Sequence, residues 1–317
     1  MGDLAILIEQ YLNTLVLGKH KKMVDLWNKD TELEFFKTAR QFATPEQLFY
    51  KTKEGEYFAY WPKSYKGPKS TLQSRNSLIG NFTEKWSVDL LQGFAKKHGL
   101  FAVQGAVCEE IGLNNKSSAD VAICKTNDIV QKASNIVMLF EVKMSVVWNW
   151  KFSKGGNQEK FECVGDFSSH KGNPGLLRSD SMLKAIGKSL NIRVSGFSSS
   201  NIPIIVLGNT PINKSYYEKV DYLRKSGIIQ GFWSINPKPR DAETLKKTNF
   251  NGFVKMDTSE ELFNHLEGLL KEKREFFSGM RTMRQLGQII EIADKENTYE
   301  KKAEKFLSLI RTEKNGN

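Results

Sequence analysis

The spacing of apolar residues predicts two strands and a helix in the first half of the chain. Residues 119–124 (Ala-Asp-Val-Ala-Ile-Cys) and 136–147 (Ile-Val-Met-Leu-Phe-Glu-Val-Lys-Met-Ser-Val-Val) are rich in β-branched and apolar residues, which is typical of buried strands. Residues 71–97 instead have helical periodicity and stop at Gly99. The apolar positions of this helix are Ile79, Phe82, Trp86, Leu90 and Phe94.

Helices and strands alternate through the next hundred residues. A polar, glycine-containing stretch at 153–175 precedes a helix predicted at 179–192, which Ser179 or Asp180 would start. The elements that follow are a strand at 202–207, a helix at 214–226 and a strand at 228–235. This order predicts an α/β fold with a mixed central sheet and helices on its faces.

Both ends of the chain are predicted to be mainly helical. Apolar positions at helical spacing recur through residues 1–60, where 4–17 is better explained by an amphipathic helix than by a signal peptide. After Pro239, charge-rich helices with apolar stripes are predicted at 258–276 and 281–312, the second with a break near Asn297. These terminal helices could wrap the core, form a dimer contact or lie beside a ligand.

Composition limits the class of protein. The 317 residues are 39% hydrophobic and 26% charged, which is ordinary for a globular protein, and no apolar run is long enough to span a bilayer. Lys and Arg number 47 against 36 Asp and Glu, a net charge of +11 that suits a polyanionic partner. Three widely spaced cysteines indicate reduced thiols in the cytoplasm, with Cys108 and Cys124 buried in strands. No zinc site can be assembled from the four histidines, and His170 is expected to be a solvated loop residue.

Two acidic residues and one lysine interrupt the predicted strands. On a strand, Glu141 and Lys143 project from the same face, about 7 Å apart, and Val142 points to the other. If the strands at 119–124 and 136–147 pair, the side chain of Asp120 can lie beside those of Glu141 and Lys143. Charged groups are rarely inserted in apolar strands unless they are paired or bind a metal. The alternative is a solvated ion pair without a chemical role.

This arrangement resembles the PD-(D/E)xK phosphodiesterase superfamily, which includes many type II restriction endonucleases. Asp120 matches the first acid of the motif, Glu141 the second and Lys143 the lysine. Ala119 stands where the motif's name has proline, a position that is often not proline in the family. Glu84, on the helix before the first core strand, matches a further acid that family members commonly carry.

The resemblance implies a fold, a cofactor and residue roles. It implies a restriction-endonuclease-like core at 69–240 and says nothing about either end of the chain. The helical N-terminal region at 1–68 is a candidate DNA-contact or dimerisation element, and residues 241–317 form a helical C-terminal region. Mg²⁺, or Mn²⁺ in its place, would be held by Asp120, Glu141 and the backbone carbonyl of Val142. Lys143 would position or deprotonate the attacking water, and Glu84 would serve a second metal or an outer shell.

Two segments supply candidate contacts with DNA. Residues 57–69 interleave aromatic residues with lysines and would follow phosphates; the alternative is a linker whose aromatic residues dock on the core. Residues after the Glu-Val-Lys strand hold amide and amine groups able to bind base edges, although such residues are common in any polar loop. The candidate contacts are Lys63, Lys66, Lys69, Asn149, Lys151, Lys154, Asn157 and Gln158.

The predicted function is therefore Mg²⁺-dependent, sequence-specific cleavage of double-stranded DNA by a type II restriction enzyme. A homodimer and a cognate DNA methyltransferase in the same system are expected, and a membrane partner is not. The alternatives are a repair or recombination nuclease of the same superfamily and a non-catalytic nucleic-acid-binding protein. No Gly-x-x-x-x-Gly-Lys-Ser/Thr phosphate-binding loop occurs in the chain.

Overall fold

The computed structural model describes residues 25–67, 71–156, 158–272, 274, 276 and 282–312. The helix predicted at 4–17 and the candidate DNA contacts Lys69 and Asn157 lie outside these residues. The chain forms two compact units, residues 1–274 and 275–317, which are described separately.

The first unit contains both helices and strands. Helices α1 to α6 span Lys29–Ala39, Pro45–Leu48, Gln73–Lys97, Ser179–Ser195, Tyr217–Lys225 and Ser259–Lys271. Strands β1 to β5 span Tyr50–Lys51, Tyr57–Phe58, Phe101–Ala106, Ala119–Cys124 and Ile136–Val142. Strands β6 to β10 span Asn149–Gly155, Gln158–Gly165, Ile204–Gly208, Gly231–Ser234 and Phe253–Lys255.

The central sheet has six strands in the order β10-β9-β8-β5-β4-β3. Strands β10, β9, β8 and β5 are parallel neighbours, whereas β4 runs antiparallel to β5 and β3 antiparallel to β4. Helices flank this sheet: α3 packs against β3, β4 and β5, and α5 packs against β9 and β10. The predicted α/β class with a mixed sheet is confirmed.

Side chains of the central strands alternate between two layers of core. Val121 of β4 and Phe140 of β5 belong to the same cluster as Phe94 of α3. Ala122, the residue after Val121, belongs to a cluster on the opposite face with Ile192 of α4. By the same alternation, the residue before Val121 and the residue after Phe140 point toward the α4 side of the sheet.

A second, antiparallel sheet has the order β1-β2-β6-β7. Its β6–β7 hairpin occupies part of the 153–175 stretch for which the sequence predicted no regular element. Gly156, with φ of +61°, lies at the turn, where a side chain would strain the backbone. Phe152 and Phe161 are register partners and pack with ring centroids 5.3 Å apart, while Glu and Lys side chains cover the exposed positions. The stretch has few apolar residues, and for this reason the sequence pattern did not predict the hairpin.

The strand predicted at 136–147 leaves the sheet earlier than expected. Strand β5 ends at Val142, and the N–H of Lys143 donates a last bond, 2.7 Å, to the carbonyl of Leu207. Beyond it, Val147 and Trp148 are buried and donate their backbone N–H groups to the carboxylate of Glu32 on α1. Glu32 thus holds the segment that connects the two sheets.

Glu32 has no exposed surface and is bonded only through N–H groups in the described residues. The indole groups of Trp27 and Trp150 donate to it at 3.2 and 3.0 Å, in addition to the two backbone groups. Burial raises the pKa of its carboxyl group from the ordinary 4.5 to about 7, against the opposing effect of these bonds. This buried acid has a structural role that its surface-like sequence context did not suggest.

His170 is the opposite of the solvated loop residue that the sequence predicted. It is 4% exposed and stacks on Tyr60 with ring centroids 3.9 Å apart. Burial lowers the pKa of its imidazole to about 4, because a desolvated ring favours the neutral form. Cys108 and Cys124 are both buried, as expected, and Cys124 lies in β4. The prediction that Cys108 also lies in a strand is wrong, because β3 ends at Ala106 and Cys108 pairs with Leu113 in an isolated bridge.

Several element boundaries follow the sequence closely. The helices predicted at 71–97, 179–192 and 214–226 correspond to α3, α4 and α5, and the strand at 119–124 matches β4. The helix predicted at 258–276 ends five residues sooner, at Lys271. Among the described residues, no helix has the length and apolar character needed to cross a bilayer.

The second unit contains α7 (Met283–Ala293) and α8 (Tyr299–Thr312), which pack against each other. Thr282 and Gln285 form a capping box at the start of α7. The break predicted near Asn297 is present between the two helices.

Candidate active site

Strands β4 and β5 bring the two predicted acids side by side. Val121 of β4 is the register partner of Phe140 of β5, so Asp120 and Glu141 are neighbours on the α4 side of the sheet. The N–H of Val142 donates to Oδ2 of Asp120 at 2.7 Å, which fixes the aspartate against the end of β5. Glu141 is 7% exposed. The pairing of the two carboxylates expected from the sequence is therefore present.

The ammonium group of Lys143 lies between these carboxylates. Its Nζ is 3.4 Å from Oδ2 of Asp120 and also forms a short ion pair with Oε1 of Glu141. The same Nζ donates to the backbone carbonyl of Val142 at 3.1 Å. The Lys143 ammonium group thus contacts all three groups that the resemblance implies as metal ligands, namely Asp120, Glu141 and the Val142 carbonyl.

A second lysine, Lys188 of α4, contacts the same two carboxylates. Its Nζ is 2.9 Å from Oδ1 of Asp120 and 2.6 Å from Oε2 of Glu141. Sequence analysis did not single out this residue. A signal was present, because Lys188 is three residues after Ala185 and four before Ile192, both buried on the inner face of α4. A lysine on the apolar face of a helix requires a partner inside the protein.

The electrostatics of the pair are unequal. Burial by itself would raise the pKa of Asp120, but the ammonium groups of Lys143 and Lys188 and the bond from Val142 outweigh it and lower that pKa. For Glu141, burial and then the neighbouring Asp120 carboxylate raise the pKa above its ordinary value. Burial disfavours the charge of Lys188, yet the two carboxylates raise the pKa of its ammonium group. The site therefore holds concentrated charge of both signs.

The donor set fits a hard divalent cation with few protein ligands. Two carboxylates and one carbonyl surround the position of the Lys143 ammonium group, and all three are oxygen donors. Within the described residues, no group of three or more acidic, His or Cys side chains is placed to hold a metal ion. Mg²⁺ commonly binds one or two carboxylates and keeps several waters, so this set suits Mg²⁺ better than Zn²⁺ or Ca²⁺.

Glu84 lies on α3 and is partly buried. Its Oε2 accepts a hydrogen bond of 3.2 Å from Nε2 of Gln104 on β3. Burial and then the charge of Asp120 raise the pKa of its carboxyl group. The charge of Asp120 thus acts on Glu84, although α3 lies on the face of the sheet opposite to α4.

The candidate DNA contacts occupy two segments beside one cavity. A cavity of about 700 Å³ is lined by residues of both segments, among them Tyr65, Lys66 and Asn149. Lys63 and Lys66 are exposed, as are Lys154 and Gln158 at the tip of the β6–β7 hairpin. These four side chains are accessible to a large anionic partner.

Two other candidates already have partners within the protein. Asn149 is 4% exposed, and its Oδ1 accepts the N–H of Tyr60 at 2.9 Å. Lys151 is paired with Glu56 at 2.5 Å. A contact of either side chain with DNA would require it to exchange one of these bonds.

Comparison of the chain with protein-family models, with curated proteins and with solved structures found no match.

Proposed function

We propose that the protein is a Mg²⁺-dependent deoxyribonuclease that hydrolyses phosphodiester bonds in double-stranded DNA. The observation that carries the proposal is the convergence of Asp120, Glu141 and the Val142 carbonyl on one ammonium group, that of Lys143. An ammonium group beside two carboxylates provides both a cation site and a group able to act on a phosphate. The net charge of +11 suits a nucleic-acid substrate.

The chain's own groups have distinct tasks in this reaction. Asp120, Glu141 and the carbonyl of Val142 would hold the metal ion, with Mn²⁺ able to replace Mg²⁺. When bound, the metal supplies Lewis-acid polarisation of the scissile phosphate and acidifies water. Lys143 orients the attacking water or accepts its proton, and its positive charge opposes the negative charge that develops on the phosphate oxygens.

The expected hydrolysis balances without a further reactant. The oxygen of water forms a bond to phosphorus, the bond from phosphorus to the 3′-oxygen breaks, and the 3′-oxygen leaves as a hydroxyl after gaining a proton. A 5′-phosphate remains on the other product. This is the outcome expected from the resemblance to PD-(D/E)xK nucleases.

We infer that the biological role is that of a type II restriction endonuclease with a restriction-endonuclease-like core. The β6–β7 hairpin and the segment at 57–67 line a cavity and carry exposed basic and amide side chains, which suits recognition of duplex DNA. The proposal includes a homodimer, since a twofold protein can address both strands of a palindrome, and a DNA methyltransferase partner in the cytoplasm.

Digestion of plasmid DNA tests the proposed function. Purified protein with Mg²⁺ should cut the plasmid into discrete fragments, and EDTA should abolish cutting. Discrete fragments support restriction, whereas a smear or selective cutting of branched DNA would support a repair or recombination nuclease. No Mg²⁺-dependent cutting of any of these substrates would overturn the proposal.

One observation favours a non-catalytic alternative. Four ion pairs link the two carboxylates with Lys143 and Lys188, and such a neutralised network could serve stability alone. In that case the protein would bind nucleic acid without cleaving it, with or without Mg²⁺. The plasmid assay separates this alternative from a nuclease.

Binding of duplex DNA without Mg²⁺ should weaken steeply as salt is raised. Each phosphate contact contributes about 0.9 to the slope of log K against log salt, because binding releases condensed counterions. The double variant Lys63→Gln/Lys66→Gln should reduce this slope by about 2. Filter-binding or fluorescence anisotropy titrations at several salt concentrations measure it.

A matched control for that experiment is Lys219→Gln, because Lys219 is exposed on α5, which packs against β9 and β10. This variant should keep the wild-type slope. A salt-independent wild-type affinity would argue for a partner other than a polyanion.

Replacing Glu84 with Gln should raise the Mg²⁺ concentration that gives half-maximal cleavage. The carboxylate of Glu84 interacts electrostatically with Asp120 and accepts a hydrogen bond from Gln104. Its negative charge would favour a cation held by Asp120 without contacting that cation. An effect of about 10- to 100-fold is expected for such an outer group. Cleavage rates across a Mg²⁺ titration provide the measurement, and normal cutting at limiting Mg²⁺ would show that Glu84 has no such part.

A further inference from the structure

The two lysines divide the four carboxylate oxygens between them. Lys143 contacts Oδ2 of Asp120 and Oε1 of Glu141, whereas Lys188 contacts Oδ1 of Asp120 and Oε2 of Glu141. The carboxylate pair therefore has two cation positions, each formed by one oxygen from either acid. Of the two lysines, Lys143 also contacts the carbonyl of Val142, at 3.1 Å.

Lys188 is supported by a helix built into the core. Ala185, Ser189 and Ile192, which surround it in the sequence of α4, are buried. The Lys188 side chain itself is 19% exposed. Lys143, by contrast, follows directly on the last residue of β5, at the point where the chain leaves the sheet. The two lysine side chains are about equally exposed, 19% for Lys188 and 20% for Lys143, and Lys188 differs in that a helix of the core carries it.

We propose that Lys188 takes the place of a second divalent cation, so that each chain binds a single metal ion at the position bounded by Asp120, Glu141 and the Val142 carbonyl. This inference rests on the proposed metal-dependent nuclease function and specifies how its site is charged. Lys188 stays on Oδ1 of Asp120 and Oε2 of Glu141, while the metal takes the oxygens that Lys143 contacts in the metal-free protein and so releases the Lys143 ammonium group toward the phosphate. The charge of Lys188 also remains close to the phosphate during hydrolysis.

Charge and ligand supply both favour one metal over two. The two carboxylates carry a charge of −2, which Lys143 and Lys188 already balance, so each divalent ion that binds makes the site more positive and a second ion would be repelled more strongly than the first. A second divalent ion would have to displace Lys188 from contacts of 2.6 and 2.9 Å. The described residues offer no third acid, His or Cys grouped with these ligands to compensate for that loss. Glu84 is instead bonded to Gln104.

Removing the charge of Lys188 should therefore have two opposite effects. Affinity for the metal should rise by about 10-fold or more, because an ammonium group close to a divalent cation repels it. The cleavage rate at saturating metal should nevertheless fall by about 100-fold, as for other groups that stabilise developing charge. A lysine that only neutralised the metal-free site would give the first effect without the second.

Isothermal titration calorimetry with Mn²⁺ alone, on the full chain, tests the inference independently of cleavage. The wild-type protein should bind one Mn²⁺ per chain in a manner that Asp120→Asn abolishes, and Lys188→Gln should bind Mn²⁺ at least about 10-fold more tightly. Lys188→Arg keeps the charge and should keep a stoichiometry of one. Lys184→Gln, exposed one turn earlier on α4, is the matched control and should behave as wild type.

The outcomes separate the inference from the function on which it rests. Two Asp120-dependent Mn²⁺ ions in the wild type or in Lys188→Arg would overturn the inference, even if Lys188→Gln failed to fold. Unchanged Mn²⁺ affinity and unchanged cleavage in a folded Lys188→Gln would also overturn it, while wild-type cutting would leave the nuclease function standing. Absence of cutting by the wild type would overturn the function itself.

Discussion

Replacing Glu141 with glutamine should lower the rate of DNA cleavage by at least about 10³-fold, the size expected when a group that acts on transition-state charge is lost. Glutamine keeps the shape of the side chain but removes one negative charge from the proposed metal site. It also removes one of the two charged partners of Lys143 and of Lys188. Single-turnover cleavage of a plasmid at saturating Mg²⁺ measures the effect.

Glu141→Gln should lose cleavage activity but keep its fold and its affinity for DNA. Because Glu141 is at the end of β5 on a face shared with other charged groups, circular dichroism and DNA binding in Ca²⁺ should stay close to wild type for Glu141→Gln. Lys143→Ala should cause a comparable loss of cleavage with the same preserved binding. Glu109→Gln, an exposed glutamate between β3 and β4, should cut normally. Cutting by Glu141→Gln or Lys143→Ala near the wild-type rate would remove the central claim.

The second large effect is expected on the free energy of unfolding when Glu32 is replaced. Replacing Glu32 with glutamine should destabilise the protein, because the amide N–H₂ would replace one carboxylate oxygen and face two N–H donors, either those of Trp27 and Val147 or those of Trp148 and Trp150. The free energy of unfolding lost on substitution should be smaller at pH 8 than at pH 5, by about 2.5 kcal/mol. Urea unfolding of both proteins at each pH gives the difference.

The sign follows from the raised pKa of this carboxyl group. Its ordinary value of 4.5 applies to the unfolded chain, and burial raises it to about 7 in the folded protein. Between these values the folded protein retains a proton that the unfolded chain has released, so the wild type loses stability as the pH rises from 4.5 to 7. Glutamine does not titrate, and the variant does not share this loss.

The wild type must be compared with Glu32→Gln because His170 changes the stability of the protein with pH in the opposite direction to Glu32. Burial lowers its pKa from 6.5 to about 4, so its contribution is lost as the pH falls through that range. This contribution is common to wild type and Glu32→Gln and cancels in their difference. Glu34→Gln, exposed on the same helix, is the control and should show no such dependence. A difference that is the same at pH 5 and pH 8 would mean that Glu32 titrates normally.

Local sequence determined the elements that carry the proposed motif. A run of β-branched and apolar residues defined β4 and the start of β5, although β5 ends at Val142, before the apolar run does. Alternation along a strand places Glu141 and the start of the Lys143 side chain on one face. The helical spacing of apolar residues likewise defined α3 and α4 within a few residues. These features depend on neighbours in the chain, which is why the sequence is enough to predict them.

Hairpin β6–β7 shows where local pattern failed. Its inward residues are few, and most of its other positions are Glu, Lys, Ser and Gly, so the stretch has the composition of a loop. What makes it a hairpin is the packing of Phe152 and Phe161 with Phe36 and Phe49 from the N-terminal part of the chain. Distant residues therefore decided its structure.

The sequence by itself determined the α/β class, the pair of acids with Lys143 and the basic character of the protein. Tertiary structure alone decided that Lys188, 68 positions after Asp120, completes the charged site, and that Glu32 and His170 are buried. The physical reason is that the charge state and the partners of a side chain depend on what surrounds it in space. Those surroundings are supplied by helices and strands that the chain brings together only on folding.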